Sequence, residues 1–235
     1  MTTIEDNLQA QRQRVALACQ TAGRDVNAVT LLAVSKTFGA DAVAQAMAGG
    51  QRAFGENYVQ EGVDKILALR ASHPGAALEW HCIGPIQSNK TRLVAEHFDW
   101  VQSVDRLKIA QRRSEQRPQG LPPLQVCLQV NVDGGPNKSG VAPAALPALA
   151  AAVAGLPGLQ LRGLMCIPEP ADGFEAQRAL FLQCKAVFEA LREQVGGRFD
   201  TLSMGMSDDL DAAVAAGSTM VRVGRGIFGA RPPKT

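Results

Sequence analysis

Eight short apolar runs of strand character alternate with helix-length stretches along the chain, and this rhythm constrains the fold more than any other feature. The runs lie at 30–35, 52–55, 78–84, 99–104, 124–132, 159–167, 200–205 and 219–224. Helical patterns fill the gaps at 40–49, 57–71, 88–97, 105–116, 143–154, 173–195 and 208–216, with a further one at about 3–21 leading into the first run. The pattern predicts an α/β fold: a (β/α)8 TIM barrel in a single domain over 1–235, carrying an extra N-terminal helix. A doubly wound open sheet is the competing architecture, but no G-x-G-x-x-G follows the first run.

Composition bears on function mainly by exclusion. With 24 Lys and Arg against 22 Asp and Glu the formal charge is +2, and no basic block stands out, so the chain has no nucleic-acid footprint. The most apolar stretch, 141–156, is Ala-rich, broken by two prolines and short for a bilayer span. The five cysteines, Cys19, Cys82, Cys127, Cys166 and Cys184, are far apart and lack C-x-x-C spacing, which reads as buried thiols in a reducing compartment. The N-terminus is charged and amphipathic, without the apolar core of a secretory signal. A cytoplasmic protein with a small-molecule partner is expected.

In such a barrel, chemistry belongs on the loops at the C-terminal ends of the strands. Lys36 follows the first run in "LLAVSKTFGA", at the point where the apolar residues stop. An ammonium at the edge of a core costs desolvation unless it has a partner or gives up its proton. After the seventh and eighth runs come "SMGMSDD" (203–209) and "VGRGIFG" (223–229). Loops at these two places commonly cradle phosphate with backbone N–H groups. Gly224 and Gly226 permit a close approach to an anion, Arg225 adds a donor and Ser207 offers a hydroxyl; the plain alternative makes Ser207, with Asp208 and Asp209, a helix cap. A lysine desolvated by barrel walls near a cation such as Arg222 has a lowered pKa and an amine available to condense with an aldehyde. Lysine and phosphate cradle together suggest pyridoxal 5'-phosphate (PLP).

The segments "AVSKT", "FGENYVQE", "HCIGPIQSNK", "QVNVDGGPNKSG", "LRGLMCIP" and "LSMGMSDDLDAAVAAGSTMVRVGRGIFG" run almost end to end. On them the chain resembles the pyridoxal phosphate homeostasis proteins, single-domain relatives of the N-terminal barrel of alanine racemase. The resemblance implies that Lys36 forms a Schiff base with PLP and that Asn57 lies beside the ring. It implies that Arg222 faces the pyridine nitrogen and leaves it unprotonated, since a guanidinium does not usefully give up a proton; an inward Arg222 is otherwise expected to pair with an acid such as Glu56. Ser207, Gly224 and Arg225 map onto the phosphate cradle, although many relatives carry a small residue in place of Arg225. Ser203 and Met204 are placed at the site, with Ser203 read equally as a barrel-core hydroxyl. Lys138 belongs to a family motif and either guides the ligand or is a solvated loop charge. His81 reads as a core hydrogen-bonder.

The same resemblance implies a carrier or buffer for PLP, serving vitamin B6 and amino-acid homeostasis, with PLP-dependent apoenzymes as possible recipients and a monomeric state. A racemase needs a second base opposite the lysine, and the chain's one tyrosine, Tyr58, directly follows Asn57. The alternatives are a weak PLP-dependent amino-acid racemase using Lys36 as its base, and an interaction protein with a structural cofactor.

Overall fold

The computed structural model describes residues 3–135 and 139–230. The eight strands are β1 (Thr30–Val34), β2 (Ala53–Glu56), β3 (Glu79–Cys82), β4 (Trp100–Val104), β5 (Leu124–Val130), β6 (Leu159–Cys166), β7 (Thr201–Ser203) and β8 (Met220–Val223). They pair in sequence order, all parallel, and close into a barrel through β1 and β8, with Thr30 opposite Met220 and Ala33 opposite Val223. The expected (β/α)8 barrel is the fold.

The helices form an outer ring: α1 (Ile4–Thr21), α2 (Ala40–Ala48), α3 (Val59–Ser72), α4 (Thr91–His97), α5 (Leu107–Gln116), α6 (Leu146–Ala154), α7 (Phe174–Val195), α8 (Leu210–Ala215) and α9 (Arg225–Phe228). In α7, Phe181, Cys184, Phe188 and Leu191 are buried at spacings of three and four, which puts them on one face of the helix. Each large apolar side chain buried there is worth about 1.5–3 kcal/mol. Strands covered on both faces read as nearly continuous apolar runs, and all five residues of β4 are buried.

The main core lies between barrel and helices, where Val221 and Val223 of β8 and Leu202 of β7 point outward. Trp100, Cys127 and Met165 form a separate, smaller cluster. Alternation then sends Arg222 inward, where it meets Ser203. Gly163 is required where β6 approaches β7, because a Cβ there would stand 1.7 Å from the Thr201 carbonyl oxygen. All five cysteines are buried and free. No helix of the described residues is long and apolar enough to cross a membrane.

The extra N-terminal helix α1 starts at a capping box between Thr3 and Asp6 and packs against α8, α9 and α2. Arg14 reaches from it to the Ser207 carbonyl at 2.6 Å and to Asp211 at 2.7 Å, and Asn7 donates to the Ile227 carbonyl at 3.1 Å. α1 thereby braces the loops that follow β7 and β8.

Candidate functional site

A cavity of about 280 Å³ opens at the C-terminal ends of the strands. Six of the residues singled out in the sequence line it: Lys36, Asn57, Ser207, Arg222, Gly224 and Arg225. They come from the loops after β1, β2 and β7, from β8 itself, and from the turn into α9.

Lys36 sits in a segment that is pinned on both sides. Before it, the Ser35 hydroxyl donates to Glu56 at 2.5 Å and the Ser35 amide donates to the Gly55 carbonyl at 3.0 Å. After it, the Thr37 amide donates to Glu61 at 2.6 Å. Thr37 has φ 70°, the left-handed region that residues with a Cβ rarely occupy. Behind both contacts stands Lys65 on α3, whose ammonium donates to the Ser35 carbonyl, Glu56 and Glu61, each at 2.7 Å. Burial pushes the Glu56 carboxyl above its usual range, and the ammonium of Lys65 and the hydroxyl of Ser35 oppose that shift.

Asn57 borders the cavity with its Oδ1 buried and without a hydrogen-bond partner. Its backbone is held by the next loop, because Gly84 lies so close that a Cβ there would stand 2.4 Å from the Asn57 carbonyl oxygen. An unpartnered buried acceptor costs roughly 1–3 kcal/mol, and a ligand with a hydroxyl or N–H donor at this wall would relieve it.

Arg222 is 4% exposed and gives one N–H to Ser203 Oγ at 2.8 Å and another to the Cys166 carbonyl at 2.9 Å. Burial lowers its pKa, while a guanidinium remains a donor without an acceptor lone pair. Facing a ring nitrogen, it offers a hydrogen bond and no transferable proton. The expected pairing of Arg222 with Glu56 does not occur. Glu56 ends β2 on its outer face and is consumed by Lys65 and Ser35.

Around the far wall, Gly224 precedes α9, and the amides of Arg225 and Gly226 open that helix without carbonyls one turn back to receive them. Ser207 flanks them from the loop after β7, where Arg14 fixes its carbonyl. The arrangement suits a phosphate: amide donors, a hydroxyl and an exposed guanidinium on one side, with a lysine on the other. Judged on the orphaned Asn57 acceptor and this amide cradle, the cavity fits PLP.

Ser203 of β7 and Met204 just after it do not line the cavity. Met204 is fully buried in the core outside the barrel and does not line the cavity, because successive strand residues face opposite ways. Ser203 faces inward but beneath the cavity wall, bonded to Arg222 and Gln102. His81 is buried and hydrogen-bonded to Glu79 and Gln102, as a core histidine. Lys138 lies outside the described residues. Phe38, Ile83, Ile167, Met206 and Asp208 also line the cavity. The rule that strand ends carry the site would have found Ile83 and Ile167, each the residue after its strand, whereas Phe38 is placed by stacking on Phe228 at 5.2 Å.

Comparison with known proteins points the same way. A family model described as alanine racemase, N-terminal domain, matches residues 7–232. A pyridoxal phosphate homeostasis protein of Pseudomonas aeruginosa is 58% identical over 231 residues, covering 98% of this chain and 97% of that protein. One from Escherichia coli is 53% identical over 231 residues, covering 98% of each. Among solved structures, PipY of Synechococcus elongatus with PLP bound superposes with a TM-score of 0.82 at 37% identity, covering 97% of this chain and all of that one.

Proposed function

The chain belongs to the pyridoxal phosphate homeostasis proteins, built on the alanine racemase N-terminal domain, and from that membership we propose that it binds PLP in the cavity at the barrel mouth. Lys36 holds the cofactor through an imine, Ser207 with the amides of Gly224 and Arg225 takes the phosphate, Asn57 lies beside the ring and Arg222 faces the ring nitrogen. The whole described chain, α1 included, acts as one binding unit. The observation that carries this reading is the meeting of Lys36, Arg222 and the amide cradle in one cavity. Bound PLP supplies a reactive aldehyde and an electron sink; the residues around it determine how much of that chemistry is used.

In this reading they hold the ligand more than they use it. Arg222 gives the ring nitrogen a hydrogen bond without a proton, which weakens the sink. Among the described residues, no histidine or tyrosine lines the cavity to act as a second base opposite Lys36. Tyr58 is 55% exposed and faces a neighbouring depression. The role is therefore that of a carrier or buffer, which keeps PLP bound, limits its free concentration and yields it to PLP-dependent apoenzymes. The protein acts as a monomer in the cytoplasm, a compartment that suits five buried free thiols.

The test is the visible spectrum of the purified protein with PLP, before and after borohydride, for the wild type and Lys36→Ala. A band that borohydride fixes to the protein only when Lys36 is present supports the reading, and no band in the wild type rejects it. Exchange of an amino acid's α-proton for solvent deuterium with turnover would replace the carrier by a racemase.

A further inference from the structure

The polar groups inside the barrel form one continuous hydrogen-bonded chain. Arg222 Nη1 donates to Ser203 Oγ at 2.8 Å. The Ser203 hydroxyl donates to Gln102 Oε1 at 2.7 Å. Gln102 Nε2 meets His81 Nδ1 at 2.9 Å, and His81 Nε2 meets Glu79 at 2.8 Å. Four strands contribute: β8, β7, β4 and β3. Arg222, Ser203, Gln102 and His81 are buried, whereas the Glu79 side chain, at the N-terminal end of β3, is 47% exposed. The chain thus runs from the cavity wall through the barrel to the opposite mouth.

Its direction is decided by its ends. A guanidinium only donates and a carboxylate only accepts, while serine, glutamine amide and neutral imidazole each do both. With a neutral His81, one arrangement gives every link a donor and an acceptor: all protons point from Arg222 towards Glu79. Turning the Gln102 amide around would put a bare His81 nitrogen against the Glu79 carboxylate and leave the Ser203 hydroxyl proton without its acceptor. Chains of this kind polarise one another in a low-dielectric interior.

We propose that Glu79 is a positioning residue for the cofactor cavity: through His81, Gln102 and Ser203 it orients each hydrogen bond down to Arg222, and so polarises the N–H groups that Arg222 presents to a ring nitrogen. The barrel floor is thereby wired to the chemistry at its mouth. Partial burial alone would raise the Glu79 carboxyl, but the hydrogen bond from His81, the charge that ring carries when protonated, the hydrogen bond from Trp100 and the charge of Arg162 hold it below its usual range, which keeps the accepting end ionised. The inference rests on the proposed PLP reading.

Two measurements test it. In the cofactor-free wild type, side-chain 15N NMR is expected to place the His81 proton on Nε2, and a proton on Nδ1 overturns the proposal. In the PLP-loaded protein, Glu79→Gln removes the anion at the end of the chain and is expected to lower the pH midpoint of the visible imine band by about half a unit. Asp200→Asn removes a carboxylate that pairs with Arg162 at the same mouth, outside the chain, and is expected to leave the midpoint unchanged. No shift in Glu79→Gln, or the same shift in both variants, overturns the proposal. A wild type that never forms a borohydride-fixable band on Lys36 marks failure of the cofactor reading, a result distinct from a band whose midpoint ignores Glu79.

Discussion

The Lys65 ammonium donates to the carbonyl of Ser35 at 2.7 Å, so a lysine on an outer helix holds the residue immediately before Lys36. The same ammonium pairs with Glu56, which takes the Ser35 hydroxyl, and with Glu61, which takes the Thr37 amide. One buried cation therefore organises the backbone on both sides of the proposed PLP anchor.

Lys65→Met is expected to destabilise the protein by about 3–5 kcal/mol, the cost of leaving a buried carboxylate without its counter-charge. Urea denaturation measures it. Adding Glu56→Gln to Lys65→Met removes the stranded charge and should recover part of the loss; a double variant no more stable than the single one would show that the ion pair is not the cause.

Glu79 gives a pH signature. Its folded-state pKa lies below the ordinary value, so its stabilisation is fully present above the unfolded pKa and lost as pH falls through the lowered value. The difference in Tm between wild type and Glu79→Gln should accordingly be largest near neutrality and shrink as the pH drops from about 5 towards 3. A difference that grows on acidification would reverse the assigned sign.

Gly84→Ala forces a methyl group against the Asn57 backbone, which has no flexible side-chain end to yield. The expected loss is about 1–3 kcal/mol in stability, accompanied by weaker PLP binding. Fluorescence titration with PLP alongside thermal melting checks both; unchanged affinity in a destabilised protein would detach Asn57 from the site.

Arg14→Ala cuts the strut from α1 to the Ser207 carbonyl. The salt bridge that Arg14 also makes with Asp211 is half-exposed and worth about 0–1 kcal/mol. Stability should fall modestly, while the apparent Kd for PLP should rise about threefold to tenfold, the equivalent of losing one charge-assisted hydrogen bond in the support of the cradle. Competition by inorganic phosphate should weaken in parallel.

The barrel was legible in the sequence because strands buried on both faces leave mostly apolar runs, and each of the eight runs overlaps a strand. Lys36, Arg222 and Ser207, which line the cavity, could be placed at the barrel mouth because they follow such runs or lie near the end of one. What escaped was phase. At β7, "LSM" places a polar residue between two apolar ones, and nothing local says that Ser203 faces inward and Met204 outward. Lys65 was hidden for a related reason: a lysine in an amphipathic helix reads as surface, although its neighbours Gly62, Val63, Ile66 and Leu69 are all buried. The four-residue α9 is too short to leave a periodic trace. The hydrogen-bonded chain from Glu79 to Arg222 links residues far apart in sequence, and only closure of the sheet brings them together.

That closure has a consequence for how the site comes into being. Lys36 follows β1, while Arg222 and Gly224 belong to β8 and the turn beyond it, and the two strands meet only where the barrel shuts, Leu32 opposite Arg222. The proposed binding site lies at the seam of the barrel. A contact between the first and last strands closes a loop that holds most of the chain, and such contacts are slow to form. During synthesis the lysine emerges early and waits for nearly the whole polypeptide before its partners exist, so ligand capture reports that the last strand has docked.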